Sequence, residues 1–169
     1  LRGVRERTVI RTDDDMDGTP VPFIQANSME RIISLLENLY GNPLTPGQIA
    51  DLMDFDPRQS DYYYNAGRYL GLFEKENVGG QVLVRLTGLG EKVFRMNYKP
   101  RQLKLVELML EHRIFAEFFD EGTQTGRYPD KKVIGQRMRE LHVCNEGQIA
   151  RRASSVERWL EWIFHLTRL

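Results

Sequence analysis

Two strand-like stretches, FEKEN (73–77) and QVLVRLT (81–87), are joined by Val78-Gly79-Gly80, which predicts a β-hairpin with glycines at its tip. Three helical patterns precede it. Asn27 with Glu30 three residues on is a capping-box pattern, and Ile32, Ile33, Leu35, Leu36 and Leu39 follow at helical spacing until Gly41-Asn42-Pro43. Thr45 caps a second, shorter helix through Ile49, Leu52 and Met53. The turn DFDP then leads into a third helix, from about Arg58 to Leu72. After the hairpin, Thr87 starts a further helix, LGEKVFRM, which stops before Pro100. Helix, helix, helix, hairpin is the order of a winged helix, and a tight turn between short second and third helices is what a helix-turn-helix requires.

The order then begins again. Residues 102–119 predict one long helix with Leu103, Leu105, Val106, Leu108, Met109 and Phe115 on its apolar side. GTQTGRYPD is a loop, 131–141 a second helix, HVCNEG a turn, and Gln148 onward a third helix through Ile163. IADLM (49–53) can be laid over IGQRM (134–138), and AGRYL (66–70) over VERWL (156–160). The second half has no room for a full wing. The fold class expected is therefore mainly α (α+β), with two tandem winged-helix-like helix-turn-helix units and a small β-hairpin wing. Its divisions are an irregular segment with short strands at 8–11 and 23–25 (1–26), a first unit (27–99) and a second (100–169).

Charge does not mark out a partner by itself. The chain of 169 residues carries 24 basic and 24 acidic side chains, split 12 to 14 over residues 1–100 and 12 to 10 over 101–169. A free-standing DNA-binding protein usually has a basic surplus, so any DNA contact must rest on a local stripe. No apolar run approaches the roughly 20 residues of a membrane-spanning helix, so no membrane partner is expected. The opening LRGVRERTVIR lacks the apolar core of a signal peptide. A single cysteine, Cys144, allows no internal disulfide and points to a reducing, cytoplasmic setting.

The third helix of each unit is where such folds place residues that enter the major groove. In the first, Tyr62, Ala66, Tyr69, Leu70 and Phe73 form the predicted core face. The other side shows Arg58, Gln59, Asp61, Tyr64, Asn65 and Arg68, side chains able to hydrogen-bond base edges. In the second, Ile149, Ala153, Val156, Trp159 or Leu160, and Ile163 face inward. Gln148, Arg151, Arg152, Ser154, Ser155 and Arg158 sit early or outward, where arginines and hydroxyls suit phosphates. Two alternatives stand beside this reading. Ser154-x-x-Glu157 is itself a capping box, so the helix can begin there, and Arg151 and Arg152 can pair with Glu146 or Glu157.

RQSDYYYNAGRYLGLFE followed by VRLTGLGEKVF, together with ARRASSVERWLEWI, resembles the tandem winged-helix DNA-recognition regions of type II restriction endonucleases and related bacterial proteins. The resemblance covers roughly residues 28–166 and is a pattern of aromatics, small residues and arginines, with no catalytic signature. It implies a module that reads double-stranded DNA, with a nuclease domain elsewhere in the same parent chain.

Other motifs carry less. Asp13, Asp15, Asp17 and Gly18 fit the first half of an EF-hand loop, but Ile24 stands where the closing glutamate belongs. The run is also similar to the Asp-x-Asp of toprim domains, which need a sheet that this helical chain does not offer. A solvated acidic turn is the reading adopted, without tight calcium or magnesium binding. His112, His142 and His165 show no spacing that makes a metal site with neighbouring carboxylates. No catalytic constellation and no cofactor is expected. The rival to DNA recognition is a protein-protein interaction module, which a neutral surface suits.

Overall fold

The computed structural model describes residues 1–166. It is mainly helical with one small antiparallel hairpin, the α+β class expected. A short helix, α1 (Arg2–Arg7), leads into an extended segment over 8–28. The first unit is α2 (Met29–Leu39), α3 (Pro46–Met53), α4 (Pro57–Tyr69), β1 (Phe73–Val78), β2 (Gln81–Leu86) and α5 (Gly88–Arg95). The second contains α6 (Tyr98–Leu110), α7 (Arg113–Thr125), α8 (Lys131–Leu141) and α9 (Ile149–His165).

Local chemistry sets the helix-turn-helix of the first unit. Thr45 with Gln48, and Asp56 with Gln59, form reciprocal capping boxes, each followed by a proline in the first helical turn. Between them Asp54 takes a left-handed conformation (φ 55°) that ends α3. His142 does the same at the end of α8 (φ 57°), so both helix-turn-helix turns open on a left-handed, non-glycine residue. At the hairpin tip Gly79 and Gly80 have φ of 57° and 82°, the left-handed pair that a two-residue turn requires. Leu44 and Val84 exchange both backbone hydrogen bonds (3.0 and 2.7 Å), which pins the hairpin beside the α2–α3 loop. Gly67 lets α4 close on Phe73, since a Cβ there would collide with the phenyl ring.

Three expectations are corrected. The cap of α2 is Ser28, whose side chain accepts from the Arg31 amide, and not Asn27. The opening residues form α1 where an irregular start was expected, and 8–11 and 23–25 are not strands, with a single bridge between Thr12 and His112. The long helix over 102–119 is broken at His112, and its second part runs on to Thr125, into the expected loop. The break has a tertiary cause. The Arg11 amide donates to the Glu111 carbonyl (2.7 Å) and the Arg113 amide to the Thr12 carbonyl (2.9 Å), so the incoming segment takes backbone groups that helix continuation would use.

α9 begins at Ile149 after a 3-10 turn at Glu146–Gln148, which disposes of the later start at Ser154. Among the described residues the second unit has no hairpin. Buried side chains of both units and of the 8–28 segment belong to one continuous core, with Trp159, Phe115, Phe118 and Ile24 among the largest fully buried.

Candidate nucleic-acid interface

A buried polar node fixes the far end of α4. Asp14, in a left-handed conformation, accepts from the Tyr69 hydroxyl at 2.6 Å and meets His112 Nδ1 at 2.8 Å. The His112 Nε2–H donates to the Tyr69 carbonyl at 3.1 Å, and the two rings stack at 3.7 Å. Burial first, and then the neighbouring Asp14, pushes the Tyr69 phenol well above its usual range. The node ties together the N-terminal segment, the end of α4 and the α6–α7 break.

The segment that follows is gripped by α4 on one side and α9 on the other. The Tyr63 hydroxyl accepts from the Ser28 amide at 3.1 Å. From α9, Arg152 Nη1 donates to the Phe23 carbonyl (2.9 Å), Trp159 Nε1 to the Ala26 carbonyl (2.9 Å) and the Ser155 hydroxyl to Asn27 Oδ1 (2.7 Å). Above this floor lies a groove of about 710 Å³, bounded by Gln25–Ser28, by Arg31 of α2, by the first turns of α4 and by Arg151 and Arg158 of α9.

Its electrostatics are one-sided. Four arginines, Arg31, Arg58, Arg151 and Arg158, line the groove against one carboxylate, Asp56. That carboxylate is occupied in accepting from the Gln59 amide at 2.8 Å. None of the four guanidinium groups has a hydrogen bond or ion pair among the described residues. Arg31 and Arg151 instead lie over the rings of Phe55 (5.6 Å) and Tyr62 (6.0 Å). Ser28 and Asp56, the caps of α2 and α4, both border the groove, so two helix N-termini add positive potential. The side-chain oxygens of Gln59 and Asn27 accept from Asp56 N and Ser155, which leaves both amide NH₂ groups to donate. Such a surface can attract an anion, and guanidinium groups can hold one by bidentate hydrogen bonds.

Of the residues singled out in the sequence, Arg58, Gln59, Arg151 and Arg158 are brought together here. Asp61, Asn65 and Arg68 lie along α4 outside the groove lining, exposed or half-exposed, and Gln148 is exposed just ahead of α9. Ser154 is half-buried. Three do not face outward as expected. Tyr64 is buried because the hairpin folds over it, with the Lys75 ammonium 4.4 Å from the ring centre, and burial raises its phenol pKa. Ser155 is wholly buried on Asn27. Arg152 is half-buried on the Phe23 carbonyl, and desolvation lowers its pKa. Tyr62, expected in the core, is half-exposed in the groove. The carboxylate pairing for Arg151 and Arg152 is not formed, since Glu146 is taken by Arg139 at 2.8 Å. Arg31, Tyr62, Gln25 and Asn27 went unrecognised as groove residues. A signal existed for Arg31: a cation in the first turn of a helix opposes the helix dipole and lacks a folding reason to be there.

The acidic turn caps itself. Asp13 and Asp15 accept from the amides of Asp15 (3.1 Å) and Asp17 (2.9 Å). The fold also brings His142 Nδ1 to 3.4 Å from Asp15 and 3.3 Å from Asp17, an association that chain spacing does not reveal. These three offer ligand atoms within 4.8 Å of one another. The Asp15 carboxyl is held below the usual range, chiefly by the Asp17 amide and then by His142. Among the described residues no helix is long and apolar enough to cross a membrane.

Comparison with curated proteins and with solved structures finds no match. The family model described as "Domain of unknown function (DUF7226)" matches residues 31–168, and the chain belongs to that family.

Proposed function

We propose that this chain is a recognition module for double-stranded DNA, the target-recognition part of a restriction endonuclease or related cytoplasmic DNA-processing protein whose nuclease domain lies in the same parent chain. One observation carries the reading: in a chain of zero formal net charge, four arginines without carboxylate partners converge on one groove between α4 and α9. Arg31, Arg58, Arg151 and Arg158 take phosphates, with Gln148 and Ser154 near the start of α9 beside them. Asp61, Asn65 and Arg68 on the outward side of α4 meet base edges, asparagine suiting adenine and arginine guanine. Tyr64, Arg152 and Ser155 hold the scaffold in place and touch no DNA.

The test is a fluorescence-anisotropy titration on a duplex selected from a random pool and on a scrambled duplex. Arg151→Ala is expected to weaken binding to both alike. Asn65→Ala is expected to cost about 1–3 kcal/mol on the selected duplex and to relax its preference. Variants that bind both duplexes as the parent does, at unchanged stability, would remove DNA from this face. The protein-interaction reading then takes over, favoured by the exposed Val78 and Val82 on the hairpin.

A further inference from the structure

We infer that the groove receives an unpaired nucleotide, a base out of the duplex stack, together with its flanking phosphates. This rests on the DNA reading above and names the feature of the DNA that the groove takes. A helix that reads a duplex presents a convex face, whereas Arg31, Arg58, Arg151 and Arg158 surround a concavity of about 710 Å³, within the size range of small-ligand sites. A stacked and paired base cannot enter such a cleft, and an extruded one can.

The lining matches a nucleotide part by part. The guanidinium groups and the N-termini of α2 and α4 meet the phosphates. Tyr62, half-exposed among them, has Arg151 over its ring at 6.0 Å, and a base stacks on that ring once the guanidinium turns to a phosphate. The free amide NH₂ groups of Asn27 and Gln59 are placed along the same groove to donate to a base edge that pairing no longer occupies. The capping box uses only the Gln59 oxygen and Ser155 only the Asn27 oxygen, so the two NH₂ groups remain for a base edge.

The experiment compares the whole chain on three probes of one sequence: a fully paired duplex, the same duplex with one bulged nucleotide, and the single strand. The bulged duplex is expected to bind about fivefold or more tighter than the paired one, the worth of a single stacked base. Tyr62→Phe, which keeps the ring, should preserve that ratio, and Tyr62→Leu should bring it to about one. A circular-dichroism melt of each variant reports folding. Equal affinity for bulged and paired duplexes, or a ratio that survives Tyr62→Leu in a folded protein, would overturn the inference and leave duplex binding standing. Failure to bind any of the three probes would instead sink the DNA reading itself, and this inference with it.

Discussion

Two charged clefts of similar size among the described residues treat arginine in opposite ways. One, about 640 Å³, lies between α7 and α8 and is lined by Arg113, Glu117, Asp120, Glu121, Gln124, Arg137, Glu140 and Leu141. There Arg137 donates to Glu117 (2.9 Å) and Glu121 (2.7 Å), while Arg113 donates to Glu117 (2.9 Å). Arg137 thus ties α8 to α7, while Arg113 pairs with Glu117 one turn along α7 itself. The other is the groove between α4 and α9, where four guanidinium groups face one carboxylate already spent on a helix cap. Like charges gathered without partners oppose folding, if only slightly in water. What differs between the clefts is therefore pairing: in the first the cations are neutralised by carboxylates of the fold, in the second they are not. A net charge of zero hides this division completely.

Reversing charge in the groove separates the two clefts most strongly. Arg58→Glu combined with Arg151→Glu should lower duplex affinity about a hundredfold or more, about 3 kcal/mol at 1.4 kcal/mol per tenfold, with thermal stability held or raised. Anisotropy and a thermal melt measure the two sides. A hundredfold loss accompanied by unfolding would count against it, because it would make these arginines structural.

The mirror experiment removes Arg137. Glu117, Glu121 and Glu140 would then face one another without their shared cation, and stability should fall by about 2 kcal/mol in denaturant unfolding. DNA affinity should stay where it was. A drop in affinity with intact stability would place the DNA surface on α7 and α8 instead.

Tyr69→Phe probes the node that sets α4 relative to the second unit. It removes the donor to Asp14 and should cost about 1–2 kcal/mol. It also alters the alkaline limb. The Tyr69 phenol is raised in the fold, so its contribution is complete below the unfolded value of about 10 and is lost as pH climbs from there toward the folded value. Stability measured between pH 8 and 11 should fall more steeply in the parent than in Tyr69→Phe. Equal slopes would show that the phenol titrates alike in both states. The smallest effect belongs to Arg139→Ala, whose pair with Glu146 is exposed; less than about 1 kcal/mol is expected in the same denaturant measurement.

How much of this was legible in the sequence depends on the reach of each interaction. The hairpin, the caps at Thr45 and Thr87 and the helix-turn-helix order follow from residues a few positions apart, and they stand. The break at His112 depends on the incoming Arg11–Thr12 backbone and on Asp14, 98 residues away, so periodicity over 102–119 runs straight through it. Arg152 and Ser155 have the spacing of surface residues on α9, but the 23–28 segment lies across that side and takes their hydrogen bonds. Arg58 and Arg151 were each visible as outward arginines near a helix start. That they border one groove follows only once α4 and α9 close on the same segment, and no local pattern encodes that.

If the unpaired arginines of the groove hold phosphates, duplex binding must depend steeply on salt. The logarithm of the association constant for duplex DNA should fall linearly with the logarithm of salt concentration, with a slope of about −3 to −4 for four phosphate contacts. With Arg31, Arg58, Arg151 and Arg158 all changed to alanine, and folding verified by its melt, the slope should approach zero. A parent that binds with no salt dependence, or a quadruple variant that keeps the parent slope, would contradict the account.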